Sequence, residues 1–311
     1  MSRRGWVLFA AMSVIWGIPY LLIKVADEGV SVPVLVFSRT FVAALLLLPL
    51  AWRRGQLRVL LPHWRWLVVF ALVEIVAPWL LLSNAERQLS SSTSGLLVAT
   101  VPIIGVVLAR LTGDTERITV ARWAGLLIGL GGVALLAGHV TGGGAWPVVE
   151  VLLVATGYAA GPLIASRKLG DLPGLGMTAV CLAFTAVVIA PAAALTLPPA
   201  APPARVIGSL VALAVICTAL AFVMFLKLIA EVGPARATVI TYVNPAVAVA
   251  LGVVVLGEPL TPAIALSFAL ILAGSVLATR RGQRAAPAGK TADAPDATAA
   301  APPPGEPARR P

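Results

Sequence analysis

Ten runs of apolar residues, each of roughly the 17–25 residues needed to cross a bilayer as a helix, decide what this chain can become. They are read at about 6–25, 33–51, 66–84, 91–110, 119–138, 146–165, 175–195, 207–228, 236–256 and 261–279. In hydrocarbon every backbone N–H and C=O must be satisfied internally, which leaves helices or closed barrels. The ten-residue alternation of a barrel strand is absent, so the runs are helices. Only 12% of the 311 residues are charged and 59% are hydrophobic, against about 25% charged in a soluble domain. The chain reads as an all-α polytopic membrane protein.

The formal charge of +10 does not point to nucleic acid, because the basic residues sit between apolar runs and act as topology signals. With the N-terminus inside, one face collects Arg3 and Arg4; Arg53, Arg54, Arg58 and Arg65; Arg110, Arg117 and Arg122; Arg167 and Lys168; Lys227 and Arg236; and Arg280, Arg281 and Arg284. The other face holds little beyond Arg87 and Arg205, beside Asp27, Glu28 and Glu86. Both termini are therefore expected in the cytoplasm, with the protein multi-pass in a bacterial inner membrane. MSRRGW leads into an apolar run that reaches Lys24 without a clear small-residue cleavage site, so it is a first span rather than a signal peptide. Residues 282–311 are Ala, Pro and charge, and are expected to be a disordered cytoplasmic tail.

A repeat divides the rest. Asn244–Ala278 carries Pro245, an apolar run, Gly257-Glu258, Thr261, a second apolar run and Gly274. Pro102, Gly113, Glu116, Thr119 and Gly132 keep the same order, with Glu to Thr three residues and Glu to Gly sixteen residues apart in both copies. Such self-similarity marks a duplicated unit, placed here at 1–140 and 141–281. Five spans per unit is an odd number, so the second unit enters the membrane from the opposite side. Inverted pairs of this kind hold a binding site near the midplane and alternate its access by rocking.

Pro in one helix, Gly-Glu in the turn, Thr three residues on and Gly late in the next helix resemble the EamA-like repeat of drug/metabolite transporters. Trp16-Gly17 and Arg39 fit the same pattern, and the resemblance covers about residues 6–280. Two departures stand out: Asp114-Thr115 separates Gly113 from Glu116, and Thr156-Gly157 replaces a second Trp-Gly. The resemblance implies that spans one to four and six to nine line the cavity, that five and ten are peripheral, and that amino acids or similar metabolites are exported.

Individual polar residues within the runs are the candidate site. Glu74 lies near the middle of the third span, where a charge costs at least ~2.5–3.5 kcal/mol. It should face a cavity or carry a proton, which suits proton coupling. Pro78 and Trp79 follow one turn on; the proline can open the helical ladder and the indole can face a cavity. Ser13, Trp16, Tyr20 and Lys24 recur at three- and four-residue steps, one helical face, with a kink expected at Gly17 and Pro19. Lys24 and Tyr20 would serve equally as interfacial anchors. Arg39 either snorkels outward or turns inward to hold a carboxylate with two hydrogen bonds.

Tyr158 lies deep in the sixth span on the face of Glu150, which reads as a wet residue near the outer end. Tyr242 shares a face with Thr238, Thr241 and Pro245, and Asn244 adjoins it. Pro102 and Pro245 free backbone carbonyls that bind a substrate or ion, or serve only to kink their helices. The expected substrate-binding set is thus Trp16, Tyr20, Arg39, Trp79, Tyr158, Tyr242 and Asn244, with Glu74 for the proton. Glu116 and Glu258 stand where a negative charge suits the start of the fifth and tenth helices. Gly125 and Gly129 point to close helix packing, inside the fold or between the subunits of a homodimer.

Cys181 and Cys217 lie within apolar runs, and His63 and His139 at segment ends, so no metal spacing or disulfide framework is present. No zinc-protease, nucleophile-elbow or Walker motif occurs. No cofactor is expected, and the partners are a small-molecule substrate and membrane lipids. A membrane-embedded enzyme acting on a lipid-linked substrate is the alternative; it would need catalytic polar groups converging at one membrane face, whereas these sit at mid-depth on several helices.

Overall fold

The computed structural model describes residues 2–113, 119–138, 144–233 and 237–279. Glu116, His139 and the tail at 282–311, on which expectations were placed, lie outside these described residues. Among the described residues every regular element is helical. Ten helices among the described residues are long and apolar enough to cross a membrane: Arg3–Ala26, Val32–Arg53, Leu57–Glu86, Ser91–Leu111, Val120–Gly138, Trp146–Lys168, Gly174–Leu195, Ala204–Val232, Val239–Leu256 and Pro262–Thr279. They are called the first to tenth spans below. Several of their starts carry a side-chain cap. The hydroxyls of Ser31, Ser90 and Thr261 accept hydrogen bonds from the backbone N–H groups of Val34, Thr93 and Ile264.

The third span is longer than expected. After Gly55, whose φ of +67° lets the chain turn, helix resumes at Leu57 and runs through a short 3-10 segment, Leu61–His63. Pro62 is tolerated because it stands at the start of that segment, where its missing N–H has no partner to lose.

Five spans are interrupted or bent, and most of the breaks come in pairs. The first span divides into Arg3–Ile15 and Pro19–Ala26, at the expected Gly17 and Pro19. The fourth divides into Ser91–Val98 and Val101–Leu111, and the ninth into a 3-10 turn, Thr238–Tyr242, and a helix, Asn244–Leu256. In both, the break immediately precedes the repeat proline, Pro102 or Pro245. The third and eighth spans each contain a π-helical turn, Leu72–Val76 and Val215–Leu220. The second and seventh spans each keep a proline inside, Pro49 and Pro191, seventeen residues after the first helical residues Val32 and Gly174.

Three pairs of equivalent spans, the second and seventh, the fourth and ninth, and the fifth and tenth, pack on one another and run antiparallel. At one end of the second and seventh spans Ser31 shares a hydrogen bond with Thr196 (2.7 Å); at the other, Gln56 Oε1 accepts from the Gly176 N–H (3.0 Å). In the fourth and ninth spans Gly95 meets Ala248, while Gly252 lies against Ser91 and Ser92. In the fifth and tenth, Gly125 faces Ala278 and Gly132 faces Ile271, with Gly129 against Gly274 between them. A Cβ on Gly274 would run into the Gly129 backbone. The glycine face of the fifth span is therefore used within the fold.

Candidate functional site at the junction of the halves

Arg39 is 7% exposed, so its guanidinium turns inward rather than snorkelling. Its Nε donates to Thr218 Oγ1 (2.8 Å), which donates in turn to the Leu213 carbonyl five residues back in the π turn of the eighth span (2.7 Å). The guanidinium carbon stands 3.7 Å from the centre of a Trp79 ring, the geometry of a cation–π contact. No described carboxylate lies within ion-pair distance of Arg39, and its two terminal nitrogens make no hydrogen bond to a described residue. Tyr20, Tyr158, Cys217 and Glu86 are its electrostatic neighbours, and the Trp79 indole lies in interaction range of the Tyr158 hydroxyl. Two halves of the chain thus meet around one buried cation: Tyr20, Arg39 and Trp79 from the first, Tyr158, Cys217 and Thr218 from the second.

Glu74 adjoins this group. It sits inside the π turn of the third span and faces Gly161 of the sixth, where any Cβ would collide with the carboxylate. Its Oε2 is sealed from solvent and has no hydrogen-bond partner. Gly157, a turn earlier, rests on the Val73 carbonyl and the Pro78 ring. Two glycines on the sixth span therefore make room for the acid and for the backbone distorted beside it. Glu74 and Tyr158 also interact electrostatically.

The remaining candidates are placed apart from Arg39. Trp16, half-buried at the break of the first span, packs on Phe222 and Phe225 of the eighth, with ring centres 5.9 and 4.6 Å away. The side-chain amide nitrogen of Asn244 donates to the Ser13 and Ile240 carbonyls, 3.0 Å each. That bond has a local cause: the Gly17 N–H turns to Val14 O at the break, so the Ser13 carbonyl needs another donor. Tyr242 points to the tenth span, with its hydroxyl 2.6 Å from Thr279 Oγ1.

Three carboxylates behave differently from the sequence reading. Glu150 is not wet: it is 4% exposed, and its Oε1 accepts from Asn84 of the third span (2.8 Å). Glu258 does not serve the start of its own helix. It accepts from the Ser91 and Ser92 N–H groups (2.7 and 3.0 Å) and from the Ser92 hydroxyl, capping the fourth span from across the halves. Glu86, read as a loop residue, is fully buried as the last residue of the third span. Thr218 escaped notice because one threonine in an apolar run carries no signal.

The family is now plain. A model of the EamA-like transporter family matches residues 3–138 and again 145–280, and this chain belongs to that family of membrane transporters. The curated relatives include an inner membrane transporter of Escherichia coli K12, YedA, described as uncharacterized. It is 30% identical over 278 residues, spanning 86% of this chain and 88% of its own. Another is a probable terminal-alkyne amino-acid exporter of Streptantibioticus cattleyicolor, 30% identical over 295 residues, 90% of this chain and 95% of its own. A solved crystal structure matches at a TM-score of 0.63 with 23% identity, covering 90% of this chain and 97% of that one.

Proposed function

We propose that this chain is a secondary active transporter exporting small polar or amphipathic metabolites, such as amino acids or related compounds, across the bacterial inner membrane. The halves form an inverted repeat and alternate access to a site between them, with both termini in the cytoplasm. The antiparallel pairing of equivalent spans supports the inversion, and the arginine bias supports the orientation. The observation that carries the reading is Arg39: a guanidinium buried at the junction of the halves, stacked on Trp79 and lacking a carboxylate partner among the described residues. A buried cation of this kind is costly until an anion joins it, and its free terminal nitrogens suit a substrate carboxylate. Tyr20, Trp79 and Tyr158 supply the walls, and the name of the amino-acid exporter among the relatives points to the same cargo.

Proton coupling is assigned to Glu74, whose carboxylate adjoins the site without a hydrogen-bond partner for Oε2. Proteoliposomes under an imposed pH gradient test this with a panel of labelled amino acids. The expected result is gradient-driven accumulation in the parent chain, and in Glu74→Gln a fall to the level without a gradient. Equal accumulation in both would remove the coupling role.

A further inference from the structure

At the end of the bundle away from Arg53 and Arg54 lies a second charged group that the Arg39 site does not use. A cavity of about 270 Å³ is lined by Lys24, Asp27, Glu28, Glu86 and Arg87. Glu86 is fully buried, and neither of its carboxylate oxygens has a hydrogen-bond donor. The Asp27 side chain is also buried, and both its oxygens lack a hydrogen bond.

The cations nearby are largely engaged with backbone carbonyls, and none bonds to the Glu86 carboxylate. Lys24 Nζ donates to the backbone carbonyls of Glu86 and Leu89. Arg87 donates to the Val30 carbonyl (3.1 Å), leaving its Nε 3.7 Å from Asp27 Oδ1. Glu28 is taken by Arg205 of the eighth span, at 2.5 Å. From farther elements Glu258 adds negative potential at Glu86 and Arg39 positive, while Tyr20 is an electrostatic neighbour of both Glu86 and Arg39.

Glu86 has no donor among the described residues, Asp27 has only the long ion pair to Arg87, and the two carboxyls repel each other. An isolated buried carboxylate is expensive, and two adjacent ones disfavour joint ionisation. One proton relieves this by removing a negative charge from the pair. We propose that Asp27 and Glu86 form a proton-binding pair that together carries a single proton at this mouth of the transporter. Only the use made of that proton rests on the transporter reading; the site itself does not depend on cargo. Burial pushes the Asp27 carboxyl up to about 6, against the opposing pull of Arg87 and Lys24. Its release therefore falls within a range that the two sides of a cell membrane can span. Loading also removes a negative charge facing Arg39, leaving that guanidinium more attractive to an anion.

pH-difference infrared spectroscopy on the full chain in lipid reads protonated carboxyl groups directly. A carboxyl band should bleach as pH rises through about 6, vanish in Glu86→Gln and in Asp27→Asn, and persist in Glu74→Gln. Lys24→Gln should move the midpoint upward, since the ammonium favours the ionised form. A band that survives both outer substitutions, or that only Glu74→Gln removes, would overturn the site. Asp27→Asn alone decides the matter if Glu86→Gln fails to fold. Flux measurements on the same samples separate this outcome from the transport reading, which can fail with the band intact.

Discussion

The two halves share a scaffold and divide the chemistry. Both carry a π turn in their third helix, a break before the proline of their fourth, and a proline at the same depth of their second. Their first helices differ. Arg3–Ala26 is broken at Trp16–Ile18, whereas Trp146–Lys168 is continuous despite Pro162. The charges differ more. Arg39, Glu74, Asp27 and Glu86 all belong to the first half, and the second answers them with Tyr158, Cys217, Thr218 and bare glycines, its own buried acid being Glu150 beside Asn84. Backbone distortion was retained in both copies, as expected if it serves motion or packing. Ionisable side chains were retained where one copy suffices, because each buried charge is costly.

The strongest way to break this comparison is at the symmetric seam. Gly274 has no room for a Cβ against the Gly129 backbone, and backbone cannot step aside as a side chain can. Gly274→Val should destabilise by at least the upper end of the ~1–3 kcal/mol seen for overpacking, read as a loss of melting temperature in detergent. An unchanged melt would mean that the fifth and tenth spans separate without cost and are not a fixed frame.

Next comes the charge. Arg39→Ala should weaken binding of an amino-acid ligand about ten- to a hundredfold, the ~1.5–3 kcal/mol of a hydrogen bond to a charged group. Isothermal calorimetry on purified protein checks it. Arg39→Lys keeps the charge but not the planar fork or the stacking on Trp79, so it should recover only part of the loss. Full recovery would show that a point charge is enough and that the Trp79 contact is incidental.

Much of the scaffold was legible before any coordinates. Ten spans and their breaks at Gly17 and Pro19 follow from hydropathy and backbone chemistry, which are local. Arg39, Glu74, Tyr20 and Trp79 stood out because polar groups are rare in apolar runs. Direction was harder. Arg39 could have snorkelled, and only packing against Thr218 and Trp79 decides that it turns inward. Glu150 reads as wet and Glu86 as a charge of the outer face because their spans end near them, and burial there is set by neighbouring helices. Glu258 was assigned to the helix next in sequence, but the open N–H groups nearest in space belong to the fourth span. Each miss concerns a partner distant in the chain, which periodicity does not encode.

Thr218→Val sharpens the division of labour with the smallest change. Valine keeps the shape and removes one hydroxyl, so Arg39 Nε loses its acceptor and the Leu213 carbonyl loses its donor. The unliganded protein should lose about 1–3 kcal/mol, the cost of leaving a buried polar group unsatisfied. A bound anion can repair much of that by accepting from the freed Nε. The thermal shift produced by an amino-acid ligand should therefore grow in Thr218→Val, while Arg39→Ala abolishes it. If Thr218→Val instead loses binding to the extent that Arg39→Ala does, the second half contacts the cargo through this hydroxyl. The chemistry would then be shared between the copies rather than carried by the first.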